Sequence, residues 1–579
     1  MKNFYLAAAD ILSRVLAEPA ENLLSQLIKP PKPEMGDIGF PCFNIAKTRH
    51  QDPKAVASTL ASQIVIKEPF SSCKAIGPYL NFVISTKSLS DITAEAVSNP
   101  NMWGKSDEGK DKTVIIDYSS PNIAKPLGVH HIRSTIIGAA LARLYESCGW
   151  KVIKINHLGD WGTNFGQIMV SYKKAEQENP DVPVDIESLI SMYIRFHDEA
   201  DKDDSLNDEA RAWFKKLEEG DHEAVHLWKL TVEESLKSLK KLYSRLGIEF
   251  DHYTGESFFN GKMNQTIESL EQKGLLKLSD GATVVDLEEH KMPPCIIKKT
   301  DGATTYATRD LTAAEYRHAT YNFDKCLYVV ANQQDLHFKQ VFKVLELAGN
   351  TWASNCEHVK FGMLSFGKGV FGEEKTLAST RKGHVVFLED VLDQAVEKSK
   401  TLTCEKTECD VDDKKLAEQI GIGAVIFNEF LQRRHNDVCF TWEKALNMQG
   451  DSGPYLQYTH ARLLSIKNLF VQKFKTEPKT NEVNWELLKS QLERNVLLKI
   501  AEFKPYIEQA LNENEPSLIV DYMLDLCSVF NRMFTDKENH RIITDDLSLS
   551  VARISLAEAV RITLANGLKL LGLAAPEHM

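Results

Sequence analysis

The stretch TVIIDYSSPNIAKPLGVHHIRSTIIG, residues 113–138, decides the fold of this chain. Its first five residues form a short apolar run that predicts a buried strand, and a polar loop follows. A helix is predicted over residues 132–148 because Gly149 supplies a stop signal, and a second strand follows at residues 151–156. This βαβ pattern predicts a parallel sheet with nucleotide chemistry at the carboxyl ends of its strands.

The loop within this stretch has the composition of a phosphate-binding mouth. A loop that leads from a parallel strand into a helix directs backbone N–H groups and the positive helix dipole at its ligand. Lys125, His130 and His131 add cationic or hydrogen-bonding groups at the same mouth. The arrangement suits a triphosphate whose α-phosphorus is attacked, and the absence of a GxxxxGK[ST] motif argues against a P-loop.

Length and composition bound the class of protein. The chain has 579 residues, which predicts three or four folding units, and a net charge of −12 argues against a general nucleic-acid-coating protein but not against a local tRNA-binding face. No run of about 18 apolar residues predicts a membrane span. The ten cysteines are scattered without a C-x-x-C pair, which favours reduced thiols in the cytoplasm. The N-terminus fits neither a secretory signal nor a transit peptide.

The segments on either side of residues 113–138 differ in their predicted structure. Residues 1–88 predict a small α+β unit, and the polar residues 99–112 predict a linker. Residues from about 184 to 246 are helical and highly charged, which predicts an insertion between the halves of the sheet. Strand-like segments follow at residues 282–286, at 325–330 and near 359–364. Beyond about residue 415 the pattern is almost wholly helical.

The loop resembles the HIGH region of class I aminoacyl-tRNA synthetases in its arginyl form. The residues that match that pattern are Ser120, Pro121, Asn122, Lys125, His131 and Arg133. The segment INHLGDWGTNFG, residues 155–166, is also similar to the arginyl family. Two positions depart from the family pattern, because Gly128 stands where the family has its first His and His130 stands where the family has Gly.

A free arginine is a planar, permanently charged fork, and its recognition requires carboxylates in a desolvated site. TTYATRDLTAA places Tyr306 and Asp310 four residues apart, on one side of a helix, and YTGESFF supplies Glu256. Both segments are similar to arginyl-family motifs whose Tyr, Asp and Glu contact the substrate. The arginine-binding residues that the resemblance implies are Ser120, Pro121, Asn122, His131, Glu256, Tyr306, Asp310 and Gln334.

The segment LASTRKGH, residues 377–384, resembles the KMSKS-type loop, the second ATP signature of this class. ATP is the implied nucleotide and Mg²⁺ accompanies it, with no structural metal bound by the protein. The ATP-binding residues implied are Gly128, His131, Ser379, Thr380, Gln334 and His337. The residues implied to act on the phosphates are Lys125, His130, His131, Arg381 and Lys382, with Lys125 in place of the family's leading KMSKS lysine.

The chain's ends resemble the tRNA-contacting domains of the same family. GDSGPYLQYTHARLLSI, residues 450–466, is close to the start of a helical anticodon-binding domain, and PKPEMGDIGFPCFNIAK with GPYLNF resembles a domain that contacts the tRNA elbow. We expect tRNA contacts on one face of a helix carrying Tyr455, Gln457, Tyr458, His460 and Arg462.

The fold class predicted is therefore an α/β Rossmann-like parallel-sheet catalytic domain with a helical insertion, a small N-terminal α+β domain and an all-α C-terminal anticodon-binding domain. The boundaries predicted are residues 1–88, 106–446 (KMSKS-like loop 377–383) and 447–579. The resemblance implies an arginine–tRNA ligase acting on L-arginine, ATP and tRNA(Arg). It also implies a monomer whose arginine activation needs bound tRNA.

Two alternatives stay open on sequence alone. One is an adenylate-forming ligase of class I that acts on a small amine or amino acid without tRNA, against which the terminal domains argue. The other is a catalytically impaired tRNA-binding paralogue, and its support is the departure at Gly128 and His130.

Overall fold

The computed structural model describes residues 1–123, 127–180, 182–183, 185–370, 376–377, 386–404, 413–479 and 482–579. Its N-terminal unit packs helices on a three-stranded antiparallel sheet of order β1-β3-β2. The elements of this unit are α1 (Lys2–Leu16), α2 (Ala20–Leu24), β1 (Ile38–Pro41), α3 (Phe43–Arg49), α4 (Pro53–Gln63), β2 (Phe70–Ile76), β3 (Tyr79–Ile84) and α5 (Thr86–Ser98). Strands β2 and β3 form a hairpin that turns at Gly77, which has φ +59°.

The segment predicted as a linker, residues 99–112, packs against the helices near the C-terminus. The Trp103 indole is buried, and its Nε1 donates to Thr563 Oγ1 at 2.9 Å. Gly104 leaves room for the ring of Phe503, because a Cβ at this position would lie 2.6 Å from it. The segment joins the N-terminal unit to the next domain, and the few apolar side chains in it anchor it to these helices.

The first part of the second domain, the sheet domain, carries the βαβ unit that the sequence predicts. Its elements are β4 (Thr113–Asp117), α6 (Ile132–Ser147), β5 (Lys151–Ile155), α7 (Thr163–Glu178), α8 (Ile186–Ala200), α9 (Ser205–Glu218) and α10 (His222–Arg245). Gly149 adopts φ +83° just after α6, which permits the turn into β5. Helices α8 to α10 form the expected insertion, and α7 packs against them as a fourth helix.

The rest of this domain returns to the sheet after a small excursion. Its elements are α11 (Met263–Gln272), β6 (Leu276–Ser279), β7 (Ala282–Val285), β8 (Cys295–Lys298), α12 (Tyr306–Tyr321), β9 (Lys325–Tyr328), α13 (Asp335–Leu347), β10 (Cys356–His358), β11 (Leu364–Phe366), β12 (Thr376–Leu377), α14 (Leu388–Cys404), α15 (Asp413–Asn428), β13 (Val438–Phe440) and α16 (Trp442–Ala445). The segment 282–286 therefore does not rejoin the parallel sheet, because β7 is the middle strand of a separate antiparallel sheet, β6-β7-β8.

The central sheet has the strand order β10-β9-β4-β5, and each neighbouring pair is parallel. Asp117 at the end of β4 pairs with Tyr328 of β9 and with Ile155 of β5. The chain leaves β4 towards β5 on one side and reaches β9 on the other side. The strand order reverses between β4 and β9, and in sheets of this kind ligands bind at the carboxyl ends beside such a point.

The C-terminal unit is helical and closes on the sheet domain. Its elements are α17 (Gly453–Phe474), α18 (Gln491–Ala501), α19 (Phe503–Asn512), α20 (Ser517–Thr535) and α21 (Leu547–Leu571). Ser452 caps α17 by accepting from Tyr455 N, Ser490 and Glu493 form a capping box on α18, and Gly572 ends α21 with φ +82°. The fold class predicted from the sequence is confirmed.

Candidate active site and its two ends

The site lies in the crevice where the strand order reverses. The loop after β4 lines one side of the crevice, and a short 3₁₀ helix, Asn332–Gln334, follows β9 on the other. At the bottom, Asp117 is buried and accepts from Arg317 Nη2 at 2.6 Å. The ion pair ties the end of the central strand to α12, which carries Arg317.

The loop after β4 starts with an unusual turn. Ser119 and Ser120 follow one another with φ of 70° and 46°, in the left-handed region that non-glycine residues rarely adopt. Each such residue costs about 1–3 kcal/mol and persists only where its surroundings fix it. Ser120 N donates to Asn156 Oδ1 at 3.1 Å, and Ser120 Oγ donates to Asp117 Oδ1 at 2.9 Å. The turn is therefore held by the ends of β4 and β5.

The next residues run beside the loop that follows β5. Gly159 N donates to the Pro121 carbonyl at 3.0 Å, and Ile123 N donates to the Gly159 carbonyl at 3.2 Å. A Cβ at Gly159 would lie 2.0 Å from Asn122 Oδ1. Because only glycine permits this approach, the position of the Asn122 side chain depends on Gly159. Gly159, within INHLGDWG, is therefore the residue that lets this segment pack closely against the loop after β4.

The end of the loop forms the mouth of α6. A 3₁₀ turn, Val129–His131, leads into the helix, and Val129 N donates to the Val386 carbonyl at 2.9 Å. The His130 ring folds back over Gly128, so that a Cβ at Gly128 would lie 2.5 Å from His130 Cε1 and 2.7 Å from its Nδ1. The centroids of the His130 and His131 rings are 4.2 Å apart. The His130 ring thus fills the space beside Gly128 that a side chain at this position would need.

Arg133 anchors the start of α6 and is almost fully buried. It pairs with Glu429 at 3.1 Å, and its Nη1 donates to the carbonyls of Gly362 and Asn436 at 2.7 and 2.9 Å. Burial raises the pKa of Glu429 to about 7, against the opposing charge of Arg133. The helix mouth is therefore tied to the segments that lead to β11 and β13.

The opposite end of the crevice is rich in carboxylates. α12 begins at Tyr306, so Tyr306 and Asp310 lie one turn apart, as the sequence predicts. Asp310 Oδ2 lies 2.5 Å from His337 Nε2, and Glu256 Oε2 lies 3.2 Å from Arg309 Nη1. The Arg309 guanidinium carbon lies 5.6 Å from the centre of the exposed Tyr306 ring. This end of the site already holds one guanidinium between a carboxylate and an aromatic ring.

Three carboxylates, those of Asp160, Glu256 and Asp310, lie near the Arg309 guanidinium at this end. Burial raises the pKa of Glu256 to about 7, the Arg309 charge opposes this, and Asp160 and Asp310 raise it further. Burial also lowers the pKa of His157, which keeps this ring neutral beside the acids. Asp160 itself accepts from Ser257 N at 2.7 Å and from Ser257 Oγ at 2.5 Å. The cluster favours a further cation.

The remaining predicted site residues are placed as follows. Gln334 is exposed at the N-terminus of α13, and His337 lies one turn into that helix. Lys125, Ser379, Thr380, Arg381 and Lys382 lie outside the described residues, so their predicted roles stay predictions. Leu377, at the start of the KMSKS-like segment, ends β12, which pairs with β11.

Helix α17 carries the residues predicted to contact tRNA. Tyr455, Tyr458 and Arg462 line a cavity of about 310 Å³ with the rings of Phe530 and Phe534 from α20. The Arg462 guanidinium carbon lies 4.4 Å from the centre of the Phe534 ring, and Tyr455 Oη accepts from Asn531 Nδ2 at 2.8 Å. Aromatic faces and one cation therefore meet at the surface of this domain.

The other two residues predicted on this face are corrected. Gln457 is 0% exposed, and its Nε2 donates to the carbonyls of Gln419 and Ala574 at 3.1 and 3.0 Å. His460 is 2% exposed, and its Nδ1 lies 2.9 Å from the Pro576 carbonyl. An α-helix turns by about 100° per residue, so positions 457 and 460 lie on the far side from 455, 458 and 462. They hold the C-terminal tail.

Sequence reasoning did not single out several polar side chains of the site: Asp117, Asn156, Asp160, Tyr243, Arg309 and Arg317. A signal existed for some of them. Asp117 ends a buried apolar strand, and Arg309 lies between Tyr306 and Asp310 in the same motif. Tyr243 gives no local signal, because it comes from the helical insertion and reaches the loop through the fold.

Among the described residues, no group of three His, Cys, Asp or Glu side chains could hold a metal ion. No helix in the described part of the chain is long and apolar enough to cross a membrane.

Three family models match the chain. The family described as "tRNA synthetases class I (R), catalytic domain" matches residues 93–442. The "DALR anticodon binding domain" matches residues 456–579, and the "Arginyl tRNA synthetase N terminal domain" matches residues 6–84.

Individual proteins resemble the chain over its whole length. It is 45% identical to the arginine–tRNA ligase of Clostridioides difficile (strain 630) and 42% identical to that of Alkaliphilus metalliredigens (strain QYMF), and each match covers 100% of both chains. The arginyl-tRNA synthetase structure of Thermus thermophilus matches with a TM-score of 0.79 at 23% identity, covering 96% of each chain. That of Plasmodium falciparum matches with a TM-score of 0.78 at 22% identity, covering 96% of this chain and 94% of the other.

Proposed function

The chain belongs to the arginyl-tRNA synthetases of class I, and from this premise we propose that it joins L-arginine to the 3′ end of tRNA(Arg) at the expense of ATP. In the first step the arginine carboxylate attacks the α-phosphorus of ATP, and pyrophosphate leaves. In the second step a ribose hydroxyl at the tRNA 3′ end attacks the carbonyl carbon of the adenylate, and AMP leaves. Neither step needs a side-chain nucleophile, so catalysis rests on positioning and charge stabilisation.

The acid cluster around Glu256 carries the proposal. Burial is the main cause of the raised pKa of Glu256, and the carboxylates of Asp160 and Asp310 raise it further, while Arg309 is the cation paired with Glu256. A substrate guanidinium would supply a further positive charge and bring a planar fork that two carboxylates can bind. Asp310 and Glu256 are therefore assigned to the guanidinium, with Tyr306 and Gln334 beside it, and Asn122 to the α-amino end. Ser120, Pro121 and His131 border the reacting carboxylate.

The nucleotide is assigned to the mouth of α6. This helix of 16 residues presents backbone N–H groups and a positive dipole at its start, which suit the phosphates. Gly128 and His131 adjoin the nucleotide from α6, Gln334 and His337 from α13, and Ser379 and Thr380 from the KMSKS-like loop. Lys125, His130, Arg381 and Lys382 supply positive charge to the departing pyrophosphate. Mg²⁺ enters with the nucleotide and shares in neutralising the phosphates.

The position of the His130 ring supports an active enzyme, although Gly128 and His130 depart from the family pattern. In the family the first His contacts ATP, and here the His130 ring covers the space next to Gly128 from which such a side chain would start. The alternative of an impaired paralogue receives no support from the comparisons, since relatives at 42–45% identity over the full chain are named arginine–tRNA ligases. The alternative of a ligase without tRNA conflicts with the match of residues 456–579 to an anticodon-binding domain.

The test is arginine-dependent exchange of pyrophosphate into ATP, measured with tRNA(Arg) present, together with formation of the arginyl ester. Citrulline, which keeps the shape of arginine but is neutral, and lysine, which keeps the charge but lacks the fork, are the controls. We expect exchange with arginine and at least about 10³-fold less with either control, because a hydrogen-bonding pocket discriminates by unpaired polar groups. Equal exchange with lysine would contradict the assignment of the pocket.

Cytoplasmic location and a monomeric state stay predictions from the sequence. Size-exclusion chromatography with light scattering tests the second one. We assign the aromatic cavity of Tyr455, Tyr458 and Arg462 to the anticodon loop, because unstacked bases bind to aromatic faces and to arginine planes.

A further inference from the structure

A chain of buried hydrogen bonds lies behind the loop that carries Asn122. Tyr243 Oη of helix α10 lies 2.7 Å from Ser119 Oγ and 3.1 Å from Asn156 Nδ2. Ser119 Oγ lies 2.8 Å from Thr135 Oγ1, which in turn lies 2.8 Å from the His131 carbonyl. Each of the four side chains is at most 3% exposed. One line of polar groups thus connects the loop after β5 to the carbonyl of His131.

The direction of the first bond in this line is set by Asn156. Asn156 Oδ1 accepts from Ser120 N, so its amide nitrogen faces Tyr243 and donates to it. At the other end the Thr135 hydroxyl has one proton and two acceptors, Ser119 Oγ and the His131 carbonyl, each at 2.8 Å. Tyr243 and Ser119 share the central bond, in which either hydroxyl can donate. Tyr243 therefore links Asn156 to Ser119.

This line of hydrogen bonds reaches the two residues of the loop that have unfavourable backbone conformations. Ser119 and Ser120 have φ of 70° and 46°, and Ser119 N also donates to Ser134 Oγ at 2.9 Å. Ser120 precedes Pro121 and Asn122, which border the amino acid in the proposed function. His131, at the other end, borders the nucleotide. In the proposed function, this line of hydrogen bonds therefore connects Ser120, on the side of the attacking carboxylate, with His131, on the side of the α-phosphate.

We propose that Tyr243 is a positioning residue for arginine activation, which rests on the proposed function of this site. Its hydroxyl holds Ser119 and Ser120 in their left-handed conformation, and this keeps Asn122 and His131 in register. Tyr243 touches neither substrate. It is supplied by the last helix of the insertion, 124 residues further along the chain than Ser119. A side chain of the insertion thus sets the geometry of the loop that gives the class its signature.

The experiment compares Tyr243→Phe with a matched variant, Tyr145→Phe, in the full-length protein. Tyr145 is also buried and also bonds an asparagine, Asn514 Oδ1 at 2.9 Å, but it lies at the far end of α6. Both variants lose one buried hydroxyl, so both should lower the Tm similarly. Tyr243→Phe should lower kcat for pyrophosphate exchange by about 10-fold, since it leaves buried partners unpaired, while Tyr145→Phe leaves kcat unchanged.

A double-mutant cycle separates positioning from general destabilisation. Glycine adopts the conformation of Ser119 without cost, and Ser119→Gly also removes the hydroxyl that Tyr243 contacts. In the Ser119→Gly background, Tyr243→Phe should therefore lower kcat by less than about 2-fold, because the hydroxyl that Tyr243 contacts and the strain at position 119 are both gone. The KM values for arginine and ATP should change less than kcat, because alignment rather than affinity is lost.

Three outcomes would each overturn a different statement. If wild-type protein shows no exchange, the proposed function fails. If wild-type protein exchanges but Tyr243→Phe has the kcat of Tyr145→Phe, the positioning role is overturned and the proposed function stands. If the losses of Ser119→Gly and Tyr243→Phe simply multiply, Tyr243 does not act through Ser119 and the inference is also overturned.

Discussion

The two ends of the crevice differ in the chemical groups that line them. The end assigned to the amino acid has charged side chains from separate elements, with Glu256, Arg309, Asp310 and His337 in pairs at 3.2 and 2.5 Å. The end assigned to the nucleotide has the backbone at the start of a helix and two imidazoles in contact. Recognition of a guanidinium requires charge at fixed positions, whereas phosphates accept donors from many directions. The first end should therefore tolerate little change, and the second should tolerate an exchange of residues.

The sharpest test of this difference is Asp310→Ala. The variant removes a charge-assisted contact to the substrate and leaves His337 without its partner, so kcat/KM for arginine should fall about 100-fold. The KM for ATP should change less than the KM for arginine, because His337, which adjoins the nucleotide in the proposed site, loses its partner but stays on α13. Steady-state exchange with each substrate varied in turn checks both statements.

The matched variant Asp310→Asn keeps the shape and one hydrogen bond but not the charge. It should recover only part of the loss. An unchanged arginine KM in Asp310→Ala would remove Asp310 from the arginine pocket.

At the nucleotide end, Gly128→Ala should displace the His130 ring, because a Cβ there lies 2.5 Å from Cε1. We expect kcat for exchange to fall about 30-fold, as when one preorganised transition-state donor is lost, with an unchanged arginine KM. Pyrophosphate exchange at saturating arginine measures the effect.

The double variant Gly128→His with His130→Gly is the control, since it restores the family order. It should retain activity within about 3-fold of wild type if either position can present the imidazole. A rise of several hundred-fold would show instead that the natural order of this chain impairs catalysis.

The pH dependence sharpens the comparison further. The pKa of Glu256 is raised to about 7 by burial, so below that pH the carboxyl is protonated and cannot pair with a substrate cation. The kcat/KM for arginine should therefore rise about 10-fold between pH 6 and pH 8. The Glu256→Gln variant should lose this rise, and a wild-type profile in the variant would assign the ionisation elsewhere.

The same raised pKa affects stability with the opposite sign. The folded protein holds this proton more tightly than the unfolded chain, whose value is near 4.5, so the contribution of Glu256 to stability is lost as pH rises through 7. Buried Glu429 behaves in the same way. Activity should thus improve over the range in which these two groups lower stability.

The smallest effect on arginine activation is expected from Arg462→Ala. Its side chain lies over Phe534 in the C-terminal domain, away from both ends of the crevice. The KM for tRNA should rise about 5-fold, as one stacking or backbone contact is lost, while exchange at saturating tRNA stays at the wild-type rate. Lys237→Ala, which removes an exposed cation from α10, is the control and should leave the KM for tRNA unchanged.

Local sequence predicts much of this molecule because its key residues are close neighbours. The spacing of Tyr306 and Asp310 predicts a shared helix face, and the apolar strand before Asp117 predicts the parallel sheet; both are present. The prediction that Gln457 and His460 contact tRNA is wrong. Both residues are buried, because a rotation of about 100° per residue puts them on the opposite side of α17 from Tyr455, Tyr458 and Arg462.

Other features depend on distant segments and could not be predicted locally. Tyr243 meets Ser119 across 124 residues, and Arg133 meets Glu429 across nearly the whole sheet domain. The turn at Ser119 and Ser120 also has no local cause, because neither residue type favours a left-handed conformation. Only the packed structure supplies the hydrogen bonds that hold it.

We propose that one crevice binds arginine through a group of carboxylates and ATP at the mouth of α6. Radiolabelled pyrophosphate exchange into ATP, with purified full-length protein, magnesium and tRNA(Arg), measures the reaction that this crevice would catalyse. We expect exchange that requires arginine and is absent with citrulline. No exchange with arginine, or equal exchange with the two amino acids, would rule out this assignment of the crevice.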